Sequence, residues 1–92
     1  MENLVFPIPN SGHLEVVQRS ASVYDLEFAA LNTADCRLLQ GFLLRMQGRL
    51  REFQFEHKGL VIPKCRFDCD EVSFVQDGPG SHGVTLPIKV LP

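Results

Sequence analysis

No run in this 92-residue chain approaches the roughly 20 consecutive apolar residues that a bilayer-spanning helix needs. The opening MENLVFPIPNSG also lacks the basic segment and long apolar core of a secretory signal, so the expectation is a soluble protein made in a cytoplasm. Charge of one sign is lacking too. Nine Lys and Arg against eleven Asp and Glu leave a formal charge of −2, whereas a nucleic-acid binder concentrates a basic excess on one face. Most basic residues here have an acid nearby, as Arg51 has Glu52 and as Lys64 and Arg66 have Asp68 and Asp70. Nucleic acid is therefore disfavoured as a partner, with only a local patch left open. Cys36, Cys65 and Cys69 cannot all pair within one chain, which argues against a disulfide framework and favours reduced thiols acting as small hydrophobes.

Constellations that carry chemistry are equally scarce. Cys65 and Cys69 stand four apart on an expected strand, roughly 13 Å at about 3.3 Å per residue, too far to share one ion. His57 and His82 have no serine or cysteine at the spacing of a nucleophile elbow. Asp77-Gly-Pro-Gly80 is glycine-rich but has no helix start behind it to hold phosphate. Asp68, Asp70 and Glu71 read as a solvated turn rather than a cation site. The expectation is no enzyme, no metal and no cofactor.

What is present is one small domain with a single core. Residues 1–12 contain Pro7, Pro9 and Asn10-Ser11-Gly12 and read as an extended arm ending in a turn. Leu4, Val5, Phe6 and Ile8 make that arm too apolar to float freely, so it either caps its own core or packs on a neighbouring subunit. Residues 13–92 form the domain proper. A short strand over 13–19 leads through a Ser-rich turn to a second over 23–31, where Tyr24, Leu26, Phe28 and Ala30 alternate with Asp25 and Glu27. Asn32-Thr33 caps a helix running from Ala34 to about Gln47, with Asp35 at the positive end of its dipole. Its stripe is Leu39, Phe42, Leu43, Met46 and Leu50, flanked by Cys36 and Leu38, with Gly48 as C-terminal cap. Leu44 projects from the polar side.

Strand periodicity returns at Phe53, Phe55 and His57. Leu60-Val61-Ile62 is a short apolar run stopped by Pro63, and Cys65, Phe67 and Cys69 then alternate against the charged Lys64, Arg66, Asp68 and Asp70. The phase slips at Asp70-Glu71, the mark of a turn or bulge. A closing hairpin pairs 72–77 with 83–91, and Pro87 places that last strand at an edge or turns its missing donor away from the ladder. The order β-β-α-β-β-β-β gives an α+β class, one helix packed on a mostly antiparallel sheet.

The stretch Arg45–Gly59, RMQGRLREFQFEHKG, mixes basic and aromatic residues as a single-stranded nucleic-acid platform does. Period separates them. Arg45 and Arg49 belong to the helix end, whereas Phe53 and Phe55 lie on one strand face. If that face lies under the helix, both rings are core. The alternative is a small module recognising nucleic acid or carbohydrate through a sheet face.

One series of residues is more specific. Tyr24-x-Leu26-x-Phe28 is followed by Leu39-x-x-Phe42-Leu43-x-x-Met46-x-Gly48-Arg49, then by Phe53-x-Phe55, Cys65-Arg66-Phe67-Asp68-x-Asp70 and Leu86-x-Ile88. Across roughly residues 23–91 this resembles small tail-associated structural proteins of bacteriophages and prophages, in which a helix of the type F-L-x-x-L-x-G-R leads into an F-x-F strand. Met46 stands where a second leucine is usual, and the arm has no counterpart. The resemblance implies a non-catalytic subunit of a tail or baseplate-like assembly. Such a protein occupies the bacterial cytoplasm during assembly and then the virion or phage-like particle. Its partners are further copies of itself and other tail or baseplate proteins. The apolar arm, Leu44 and the Leu60–Ile62 run agree with that, as do the expected edge strands. The candidate interface residues are Leu4, Val5, Phe6, Ile8, Leu44, Arg45, Arg49, Leu60 and Ile62. Arg45, Arg49 and Arg66 are candidates for intersubunit pairing with Asp25, Glu27 or Asp70.

Overall fold

A computed structural model describes residues 4–92; residues 1–3 of the expected arm lie outside the described part. The element order is β1 (His13–Gln18), β2 (Val23–Leu31), α1 (Thr33–Arg45), β3 (Phe53–His57), β4 (Leu60–Phe67), β5 (Val75–Gly78) and β6 (Ser81–Val90). All six strands form one antiparallel sheet in the order β1-β2-β6-β4-β3, with β5 beside β6 on the flank that β4 also uses. The α+β reading holds.

Alternation in β2 and β6 places Leu26, Phe28, Val84, Leu86 and Ile88 on the face beneath the helix, where all are buried. The register sets Leu26 opposite Leu86 and Phe28 opposite Val84. Ala30 does not follow the expected phase. Ala29 and Ala30 together oppose one residue of β6, forming a bulge with Ala30 at φ 58°. The extra residue passes the inward position to Leu31, which is fully buried, and leaves Ala30 exposed. The freed Ala30 amide donates to the Asp77 carboxylate at 3.1 Å.

The strand β4 runs through Pro63 instead of stopping there. Phe53 opposes Cys65 and Phe55 opposes Ile62, so Pro63 and Lys64 face the single residue Gln54. A bulge tolerates a residue without an amide proton, and here it keeps both Ile62 and Cys65 inward. Pro87 lies in β6, a strand flanked on both sides. Its carbonyl accepts from the Asp68 amide at 2.8 Å, so its missing donor also faces the β4 side, one residue past the end of that strand, and leaves the ladder with β2 untouched. Residues 68–74 cross the gap between β4 and β5, with Cys69, Val72 and Phe74 half-buried against the core.

The helix starts where Asn32 Oδ1 accepts from the Asp35 amide at 2.8 Å. It ends two residues earlier than its periodicity suggests. Gln47, not Gly48, takes the first left-handed position (φ 58°). The Gln47 amide donates to the Leu44 carbonyl at 3.0 Å and the Gly48 amide to that of Leu43 at 3.2 Å, the paired bonds of a Schellman ending. Gly48 follows at φ 62°, where a Cβ would also meet the Asp70 carboxylate at 2.6 Å, so both the conformation and the space favour glycine. With the helix ended, Leu50 leaves the stripe and is exposed.

Candidate functional site

The arm was open to two readings, and the structure assigns it to its own core. The Phe6 amide donates to the Gln54 carbonyl at 2.8 Å and the Gln54 amide to that of Leu4 at 2.7 Å, a short parallel bridge on the outer edge of β3. Alternation along the arm turns Phe6 inward and Val5 outward. Phe6 packs among Phe28, Phe42, Phe53, Phe55 and Phe67. Phe6 is therefore no interface residue in this fold. The same holds for Ile62, buried through the β4 bulge, and Leu60 is half-buried against the core. Phe53 and Phe55 are 3% and 0% exposed, which leaves no ring surface for stacking on bases.

The remaining candidates divide. Leu4, Val5 and Arg45 line one groove of about 540 Å³ between the arm and α1, together with Pro7, Arg37, Leu38, Gly41 and Phe42. Ile8 lies on a smaller cavity of about 180 Å³, shared with His13, His57 and Lys58. Among the described residues, the buried Nε2 of His57 has no hydrogen-bond partner. Leu44 stands exposed on the outer crest of α1. Arg49 faces Asp70 of its own chain at 3.8 Å, and its amide also donates to that carboxylate. Asp25 and Glu27 pair with Arg19 on the solvent face of the sheet, at 2.6 and 3.4 Å. These three acids are thus engaged within one copy.

In the groove, helical geometry explains the arrangement. Arg37, Gly41 and Arg45 follow one another at four-residue steps and so lie along one line of the helix surface. Gly41 leaves that line bare, since beyond its own helix no described residue lies within 4 Å of where its Cβ would stand. A glycine inside a helix costs about 1 kcal/mol against alanine, and its presence was the one sequence signal for this groove. Leu38 sits beside it and is 43% exposed; Val5 across the groove is 52% exposed. The result is a trough with apolar walls, lined also by Arg37 and Arg45 one helical turn to either side of Gly41. It can hold a partly aliphatic, partly anionic segment.

The turn after the arm is fixed against the helix. Ser11 donates its amide (2.8 Å) and its hydroxyl to the Asp35 carboxylate, and the Asn32 amide donates to the Ser11 hydroxyl oxygen at 3.0 Å. The two Ser11 bonds hold the Asp35 carboxyl below its ordinary range. Asp77 is depressed likewise, first by the Ser81 hydroxyl and then by the Ala30 amide. Burial pushes the Cys65 thiol up to about 12. Among the described residues, no three His, Cys, Asp or Glu side chains gather at metal-binding spacing, and no helix is long and apolar enough to cross a membrane. Comparison with protein-family models, curated proteins and solved structures gave no match to this chain.

Proposed function

We propose that this chain is a non-catalytic structural subunit of a phage-tail or baseplate-like assembly, acting through protein–protein contacts. The observation that carries the contact role is the trough between arm and helix, with Val5 and Leu38 exposed in its walls and Leu44 exposed further along α1. Apolar side chains grouped in this way gain nothing from a lone domain and gain burial from a partner. Support for the tail-type setting comes from the sequence resemblance over residues 23–91.

Sedimentation velocity on the native chain and on a Val5→Ser/Leu38→Ser/Leu44→Ser variant tests the reading. The native protein is expected to associate as its concentration rises, and the variant to remain monomeric with an unchanged far-UV spectrum. A native chain that stays monomeric at the highest concentrations, or a variant that associates equally well, refutes the contact role.

A further inference from the structure

We infer that β1 pairs, antiparallel and in one register, with β1 of a second copy of this chain, joining the two sheets edge to edge. The inference rests on the assembly reading above and adds a contact that shares no residue with the trough. β1 stands at one end of the sheet, and among the described residues no loop backbone bonds to its outer edge. At the other end, the arm occupies β3 at Gln54, and β5 is only four residues long with a register shift before Gly78. Natural edge strands are blunted by proline, lysine or bulges. β1, HLEVVQ, has none of these and keeps an even register against β2.

The hairpin decides which backbone groups face outward. The Arg19 amide donates to the Val23 carbonyl at 2.8 Å, and this pair continues the register that sets Gln18 opposite Tyr24. Bonded and unbonded pairs alternate along an antiparallel ladder. His13, Glu15 and Val17 therefore bond toward β2, while Leu14, Val16 and Gln18 turn their N–H and C=O groups outward. A second β1 must set even-numbered residues against even-numbered ones, and the side chains choose among the registers that do so. Glu15, Val17 and Arg19 lie on the solvent face with Asp25 and Glu27. Read backwards, acid–valine–base becomes base–valine–acid. With Val17 opposite its own counterpart, Glu15 stands opposite Arg19 in both directions, and Val16 and Gln18 exchange backbone bonds twice. Centring on Glu15 opposes like charges, centring on Val16 sets Glu15 against Val17, and centring on Gln18 sets Val17 against Arg19. Within one copy Glu15 faces Glu27 across the hairpin and forms no ion pair among the described residues. Arg19 engages Asp25 through Nε and Glu27 through Nη2, which leaves Nη1 for the Glu15 of a second copy. Exposed ion pairs contribute little alone, so the edge joins copies that the trough contact has already gathered. The contact is isologous and closes on a two-fold axis at Val17.

Disulfide trapping reads the register. An unbonded antiparallel pair holds its Cα atoms about 4.5 Å apart, within the reach of a disulfide. Position 17 against itself is such a pair, and so is 15 against 19. Under mild oxidation at concentrations where the native chain associates, Val17→Cys is expected to cross-link about tenfold faster than Glu15→Cys or Arg19→Cys alone. A one-to-one mixture of Glu15→Cys with Arg19→Cys is expected to cross-link faster than either by itself. Peptide mapping separates these bonds from any made by Cys69, and far-UV spectra check that each variant is folded. Equal rates for Val17→Cys and Glu15→Cys, a mixture no faster than its components, or bonds mapped elsewhere overturn the pairing while leaving the assembly reading in place. A native chain that never associates in sedimentation overturns both.

Discussion

Replacing Phe6 by alanine removes a ring that is 3% exposed and lies 5.5–6.2 Å, centroid to centroid, from five other phenylalanines. Three of those contacts are edge-to-face, the arrangement favoured by ring quadrupoles. Deleting such a side chain forfeits its transfer free energy and leaves a cavity that neighbours refill only in part, a loss of about 3–5 kcal/mol. A domain of this length holds roughly 5–14 kcal/mol in all. At a urea dependence of about 1–1.5 kcal/mol per molar, the midpoint should fall by at least about 2 M. Urea titration followed by circular dichroism reads this directly. Phe6→Leu should lose less, about 1–2 kcal/mol, because it keeps most of the apolar volume and forfeits the ring contacts. A Phe6→Ala loss below about 1 kcal/mol refutes the assignment of the arm to the core. By the same argument, deleting residues 1–10 is expected to unfold the monomer rather than merely weaken assembly, the outcome that the core-capping reading of the arm requires.

Asp35 and Asp77 both titrate below the usual carboxylate value when folded. A depressed folded pKa contributes stability that is fully present above the unfolded value and is lost as pH falls through the folded one. Urea midpoints should therefore hold from pH 7 to 5 and decline below about pH 4, and Asp35→Asn should show a shallower acid decline than the native chain. Thiol labelling should modify half-buried Cys69 first, whereas Cys65, fully buried and raised to about 12, should react only on unfolding. Early loss of the Cys65 thiol in native buffer contradicts the packing beneath α1. Gln47→Gly and Ala30→Gly should each be neutral or stabilising by up to about 1 kcal/mol, since both positions hold a side chain at positive φ. A clear loss at either in thermal unfolding argues against those backbone conformations.

Period accounts for most of what was legible beforehand. Alternation at Leu26 and Phe28 and the three–four spacing of Leu39, Phe42, Leu43 and Met46 mark faces whose burial one core must satisfy, and all six side chains are buried. What periodicity cannot carry is a count that changes partway along a strand. The bulges at Ala29–Ala30 and Pro63–Lys64 each add one residue against a partner strand. Whether the next inward residue is Ala30 or Leu31 depends on that partner, not on the strand itself. Leu50 fails for a related reason, because a helical stripe has no memory of where the backbone ends. The trough was hidden because its parts come from two distant segments. Val5 was visible as apolar and Arg37 as polar, but only the Leu4–Phe6 bridge to β3 brings the arm alongside α1.

That bridge, with the Ser11 contacts, bears on how well the trough is prepared for a partner. The arm is tied at one end to Gln54 by two backbone bonds and at the other to the helix start through Ser11, Asp35 and Asn32, with Phe6 buried between. Gly12 completes the second tie, since any side chain there would collide with the carbonyl oxygens of Ala29 and Ala30. A wall fixed at two points and anchored by a buried ring has little freedom left to lose when something docks against it. Ordering costs are among the main terms opposing association, so the exposed Val5 and Leu38 can contribute burial without first being immobilised. The same ties make the trough depend on the core: a change that frees Phe6 or Ser11 should weaken the proposed self-association even with every groove side chain intact. Ser11→Ala separates these effects, because it touches neither wall. If that variant stays folded and associates less, preorganisation matters; if it associates as the native chain does, the groove side chains alone set the affinity.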